Sequence, residues 1–170
     1  MTETRRIYVA DLAAYNSNVL HGKWIEVSDD PDSIRDEIQA MLQASPMAGA
    51  EEHVIHDYEG FAGYPVAEYE SIEALCQVAD YLSKFPEFGG ELLNLLGDWD
   101  EARRVADEGH CGYYASLADY AEELTEQCGE VPEHLAPYLD YESMGRDMEL
   151  NGDLLVIEVG FERIHVFHNI

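Results

Sequence analysis

An α+β fold, drawn out as an elongated chain of three small units, is predicted by three features of this 170-residue sequence. Strand-like alternation is confined to the two ends of the chain. The middle third reads as helix throughout. A cluster of turn formers, "GFAGYP", separates the N-terminal third from the rest of the chain. The expected units are 1–61 (α+β, three strands and one helix), 62–109 (all-helical) and 110–170 (α+β, helices and a terminal hairpin).

The first strand is "RRIYVADL", followed by a loop over "AAYNSN" and a second strand over "HGKWIEV". Asp30 before Pro31 opens a helix, because a carboxylate caps the free N–H groups and proline lacks the N–H that the first turn would leave unpaired. That helix runs to about Ala44 with Ile34, Ile38, Met41 and Leu42 inward, and "HVIHDYE" returns as a third strand. Ser71 caps a helix whose apolar face is Ile72, Leu75, Cys76, Ala79 and Leu82. "PEFGG" breaks it, and "ELLNLLGDW" and "DEARRVADEG" form two short helices. Ser116 with Asp119 makes a capping box, and Leu117, Tyr120, Ala121, Leu124 and Cys128 form an apolar stripe that stops at Gly129. After two further short helices, "NGD" turns the chain into a hairpin of "DLLVIEV" and "ERIHVFH" around Gly160. Trp24, Tyr58 and Tyr120 fall on apolar faces and are expected in the core.

Charge is the outlier. Thirty-six acids against nine bases give −27, while the hydrophobic fraction of 46 % is that of a folded protein. The net is −8 over 1–61, −8 over 62–110 and −11 over 111–170, so every segment contributes. That distribution marks a folded acidic surface rather than an acidic tail. Such a field repels nucleic acid and acidic membranes and attracts basic proteins and cations. Three cysteines without C-x-x-C spacing argue against a disulfide framework. No apolar run reaches signal or membrane-span length, so a cytoplasmic location is expected.

The helix expected over 116–128 repeats its acids, Asp119, Glu122, Glu123 and Glu126, at i, i+3, i+4, i+7, with no base four residues on. Mixed Glu–Lys pairs would add about 0.2–0.5 kcal/mol each, and this helix forgoes them. Its rise places the four carboxylates along roughly 10 Å, one per about 2.6 Å. One strand of B-DNA carries a phosphate per about 3.4 Å, and the duplex one per about 1.7 Å. The chain's 27 net charges match about 14 base pairs at duplex density, and a dimer about 27. A rigid carboxylate surface can therefore fill a groove built of Lys and Arg for phosphates.

Three stretches resemble the ArdA family of antirestriction proteins, which are carried by mobile genetic elements and spread by horizontal gene transfer. In "IYVADLAAYNSNVLHGKWIEV", Leu12, Tyr15, Asn16, Leu20, Gly22 and Trp24 match the family's opening, with Asn18 where the family often has glycine. In "HVIHDYEGF" the match is Ile55 to Glu59. In "GEVPEHLAPYLDYESMGRDMEL" it is Gly129, Glu130, Val131, Pro132, Tyr138, Asp140, Tyr141, Gly145, Arg146 and Asp147. The resemblance implies a non-enzymatic DNA mimic, without catalytic residues, metal or cofactor. It implies a homodimer formed through the C-terminal unit, with Tyr138, Tyr141 and Arg146 as candidate contacts. The implied partner is a type I restriction-modification enzyme, at its methyltransferase core and specificity subunit. The expected mimic surface comprises Asp29, Asp30, Asp32, Asp36, Glu37, Asp98, Asp100, Glu101, Asp107, Glu108, Asp119, Glu122, Glu123, Glu126 and Glu130.

Two other readings stand beside it. One is an acidic metal-dependent enzyme using His53, His56 and Asp57, or His165 with His168. Both H-x-x-H pairs lie in strand-like segments, where residues three apart point to opposite faces. The other is a salt-adapted acidic interaction module. No P-loop, nucleophile elbow, dinucleotide fingerprint or EF-hand loop is present.

Overall fold

The computed structural model describes residues 4–170. It is α+β, with two three-stranded antiparallel sheets and seven α-helices among the described residues. The chain divides into two compact units, Met1–Gly90 and Glu91–Ile170. The segment 62–109, expected as a middle unit, is shared between them and contains no strand.

In the first unit, β1 (Arg6–Asp11) is the central strand, flanked by β2 (Gly22–Glu26) and β3 (His53–Glu59). Ile7 sits opposite Ile25 on one side and Tyr58 on the other. Ile7, Val9 and Ile25 are fully buried, so the alternation seen in the sequence does select the core face. Helix α2 (Pro31–Gln43) begins as its signal required: the Asp30 carboxylate accepts from the backbone N–H of Asp32 and Ser33. It buries Ile34, Ile38 and Met41, and packs against β1, β2 and α3 (Ile72–Lys84). Ser71 caps α3, whose five expected inward residues are all buried.

The stretch expected as a loop, "AAYNSN", instead starts within a short helix, α1 (Leu12–Asn16). Its start signal is Asp11, the last residue of β1. Asp11 Oδ1 accepts from the N–H of Ala13 at 2.9 Å and of Ala14 at 3.3 Å, and Oδ2 accepts from the Ser45 hydroxyl. Asp11 is fully buried, alone among the described acids. Burial pushes its carboxyl up, but the hydrogen bonds from Ser45, Ala14 and Ala13 and the nearby His21 more than offset this, so it is held below 3.8. A lowered folded value stabilises the fold above the unfolded pKa and ceases to do so as pH falls through the folded one. Asp11→Asn is therefore expected to be destabilised relative to the wild type at neutral pH, by about 1–3 kcal/mol. The gap should close as pH drops below the ordinary carboxylate range, which urea unfolding at a series of pH values would show.

Two further expectations need correction here. Tyr58 is 38 % exposed rather than core, and Trp24 is only half-buried, with the Arg6 guanidinium 4.9 Å from its ring centroid. "PEFGG" does end α3, but its glycines then open α4 (Gly89–Leu96). Gly90 is tolerated in that helix because its α-carbon abuts the carbonyl of Ala62. An added Cβ would lie 1.7 Å from that oxygen.

In the second unit, "DEARRVADEG" forms α5 (Trp99–Arg104) and then widens into a π-helical turn, Val105–Gly109. Next comes a strand where none was expected, β4 (His110–Tyr114). It pairs with β6 (Arg163–His168), which is central and pairs on its other side with β5 (Leu154–Gly160). The β5–β6 hairpin is as expected, turning through Phe161 and Glu162. Helices α6 (Leu117–Cys128) and α7 (Tyr141–Leu150) pack together, and a 3-10 turn, Ala136–Tyr138, lies between them in sequence. The core joins Tyr120 of α6 to Leu154 and Val166 of the sheet, with Leu117, Leu124 and Met148 packed against it. Cys128, expected on the apolar stripe, is exposed at the helix end.

Gly145 sets the approach of α7 to α6. A Cβ there would lie 2.7 Å from the Leu117 carbonyl oxygen. Gly145→Ala gains up to about 1 kcal/mol of helix propensity but forces the helices apart, and overpacking of this kind costs about 1–3 kcal/mol. A net loss of stability in urea unfolding is expected, with little change in helical circular dichroism.

Candidate functional site

The first unit holds 17 acids and 5 bases, net −12, and the second 19 acids and 4 bases, net −15. The arrangement of the bases decides how much of that charge stays uncompensated. Most of them are tied down locally. Arg6 pairs with Glu59 at 2.7 Å, Lys84 with Asp80 at 2.8 Å and Lys23 with Glu37 at 2.6 Å. Arg35 pairs with Asp32 at 2.8 Å and also with Glu73.

Of the acids expected on a mimic surface, Asp32 and Glu37 are thus ion-paired. Among the described residues, the other thirteen have no basic side chain within 4.0 Å. In the first unit these are Asp29, Asp30 and Asp36, at the start and on the outer face of α2. In the second they are Asp98, Asp100, Glu101, Asp107 and Glu108 along α5 and the π-turn, and Asp119, Glu122, Glu123, Glu126 and Glu130 along and after α6. Several also have local roles. Asp30 and Asp98 cap their helices, where the helix dipole favours a negative charge. Ser116 donates to Asp119 at 2.7 Å, which completes the capping box.

The α6 row is the most orderly part. Asp119, Glu122, Glu123 and Glu126 are all exposed on the face opposite Tyr120 and Ala121. Glu122, Glu126 and Glu130 then line an open groove of about 590 Å³ with Val131, Ala136 and Tyr141. No base lines it, and its negative potential suits a cationic side chain.

Of the three candidate dimer contacts, Tyr141 lines that groove, while Tyr138 and Arg146 are not among its lining residues. Tyr138 is 84 % exposed, and Leu135 and Leu139 beside it are also exposed. Tyr141 is half-buried. Arg146 donates to the Ser143 hydroxyl at 3.3 Å and lies 3.9 Å from Asp147, both on its own helix. Ser143 in turn holds the Asp140 carboxylate, whose pKa is lowered by the backbone and hydroxyl hydrogen bonds from Ser143.

No group of three His, Cys, Asp or Glu side chains is arranged to hold an ion among the described residues. His165 is buried and hydrogen-bonds His110 at 3.0 Å, whereas His168 is exposed. No described helix is long and apolar enough to cross a membrane.

The family model of the antirestriction protein ArdA matches residues 7–163, nearly the whole chain. The chain belongs to the ArdA family. No curated protein matches the sequence. Two of the ArdA-like stretches meet in the fold, where Tyr15 stands edge-on to His56 with ring centroids 4.4 Å apart. Two ArdA-like glycines mark close approaches: Gly22 lies against the Val9 carbonyl and Tyr8 ring, and Gly145 against Leu117. Those contacts are packing, whereas most of the matched residues, Tyr15, Leu20 and Tyr138 among them, are exposed. As an ArdA-family member, the chain is an antirestriction protein.

Proposed function

We propose that this antirestriction protein acts as a DNA mimic, occupying the DNA-binding groove of a type I restriction-modification enzyme and blocking restriction. The single observation that carries this reading is the α6 row: four exposed carboxylates at helical spacing, with no base near them, in a family whose members oppose restriction. A groove that holds DNA presents Lys and Arg to phosphates, and carboxylates at similar spacing engage the same cations. The methyltransferase core with its specificity subunit is the partner this surface fits. The action needs no catalytic group, only occupancy. Tyr138, with exposed Leu135 and Leu139 beside it, supports pairing of two copies through the second unit, which would double the length of acidic surface.

The test is ATP-dependent cleavage of unmodified DNA by a purified type I enzyme, titrated with the chain at fixed salt. Stoichiometric inhibition relieved by excess DNA is expected. Full cleavage at large excess of the chain would remove this target from the proposal. Sedimentation of the wild type beside Tyr138→Asp tests the pairing: the variant should be shifted toward the monomer.

A further inference from the structure

The longest run of the sequence without Asp or Glu covers residues 12–25. In a chain of net charge −27 such a run stands out. It forms α1, the loop after it and most of β2. Three of its apolar side chains face solvent: Tyr15 is 51 % exposed, Val19 37 % and Leu20 90 %. Exposed apolar residues scattered singly need no explanation, but three within six residues form a patch. The backbone beneath them is fixed. Asn18 takes the left-handed conformation, φ 59°, at the end of α1. The N–H of Val19 bonds the Ala14 carbonyl at 2.9 Å and that of Asn18 bonds the Tyr15 carbonyl at 3.0 Å, the two bonds of a Schellman motif. The Asp11 N–H bonds the His21 carbonyl at 2.9 Å and closes the loop at its base. The His21 ring donates to the Met41 carbonyl of α2 at 2.7 Å, and the Tyr15 ring stands on His56 of β3.

Leu20 is thus held out in water on backbone that is already ordered, so covering it loses little conformational freedom. What covers it follows from its chemistry. Apolar side chains gain by leaving water, and a groove of Lys and Arg built for phosphates offers them nothing in return. Tyr15 and Leu20 also match the ArdA opening while facing solvent, so packing within the fold does not account for them there. In an antirestriction protein the partner that accounts for them is the restriction enzyme.

We propose that the 15–20 loop makes a second, apolar contact on the type I restriction enzyme, with Leu20 seated in an apolar depression outside the cationic DNA groove and Tyr15 beside it. The proposal rests on the DNA-mimic reading for its partner. It adds to the charged contact a share of affinity that salt does not screen.

The experiment measures the affinity of the full chain for a purified type I methyltransferase core at low and at high salt, for the wild type, Leu20→Ser and Phe161→Ser. Phe161, 88 % exposed in the β5–β6 turn, is the control. Leu20→Ser should bind about tenfold more weakly or worse at both salt concentrations, because the burial of a leucine is lost and that burial is not screened. Its urea midpoint should match the wild type, since the side chain is exposed. Phe161→Ser should bind as the wild type does. Wild-type affinity in Leu20→Ser, or an equal loss in Phe161→Ser, would overturn the apolar contact and leave the DNA-mimic reading standing. A loss in Leu20→Ser that disappears at high salt would overturn it too. Leu20→Ser shifted toward the monomer in sedimentation, with its affinity for the enzyme kept, would assign the patch to a second copy of the chain instead. A wild type that does not bind the core at either salt would sink both readings.

Discussion

Raising salt from about 50 to 200 mM is expected to weaken binding of this chain to a type I restriction enzyme by roughly 10²–10³-fold. A DNA-binding groove gains much of its affinity from contacts between its cations and phosphates. DNA itself loses about 10³–10⁵ in affinity over this interval when six to ten phosphates are contacted. The carboxylates here are grouped on separate helices, and some, such as Asp32 and Glu37, are already paired with bases. The salt dependence should therefore be somewhat shallower than that of DNA. Converting Asp119, Glu122 and Glu126 together to their amides should flatten the slope further, by nearly one unit for each cation of the groove left without its carboxylate. A single change such as Glu122→Gln or Glu123→Ala should alter inhibition little. Affinity that is flat with salt would sink the electrostatic account. So would one acid whose loss alone abolishes inhibition.

Gly90→Ala is expected to destabilise the first unit by about 3 kcal/mol, at the upper end of what overpacking costs. The new methyl would stand 1.7 Å from the Ala62 carbonyl oxygen and 2.6 Å from its carbon. Relief requires the 61–64 turn to move, and that turn is fixed. Phe61 is buried, the Tyr64 N–H bonds the Phe61 carbonyl at 2.9 Å, and Ala62 and Gly63 both hold positive φ. Glu91→Ala, one residue further along the same helix and exposed, should stay within about 0.5 kcal/mol of the wild type. Comparable urea midpoints for the two variants would show that the turn yields easily.

Signals that act over a few residues were legible in the sequence. Asp30–Pro31, Ser71 and Ser116 each mark a helix start, and each side chain is observed accepting at its cap. Alternation in "IYV" located the buried face of β1, whereas His165, Val166 and Phe167 of β6 are buried in succession. The losses occur where a local signal depends on a distant partner. Helix α1 is started by a carboxylate that also completes β1, and it is fixed by Ser45, far along the chain. The strand "HCGYY" contains Gly112 and a bulge next to Cys111, so it shows no clean alternation, and only pairing with β6 makes it a strand. The π-turn before it has no composition of its own. For the site, the exposure of the acids followed from amphipathic spacing. The Lys23–Glu37 pair could not be seen, because it joins a strand to a helix. Tyr58 looked like core from its apolar neighbours, yet it lies toward the end of an edge strand.

The place of β6 in its sheet governs the order in which this chain can take shape as it is made. The sheet of the first unit is complete once β3 has emerged. In the second, the middle strand comes last in the sequence, and His110 must wait for His165, 55 residues later. Until then β4 and β5 have no neighbour to pair with. Both strands, and the apolar faces of α6 and α7, then wait as open edges on the nascent chain. The dense negative charge on those same helices keeps such waiting chains apart, because like-charged nascent segments repel one another. The same carboxylates would thus guard the protein during its own synthesis.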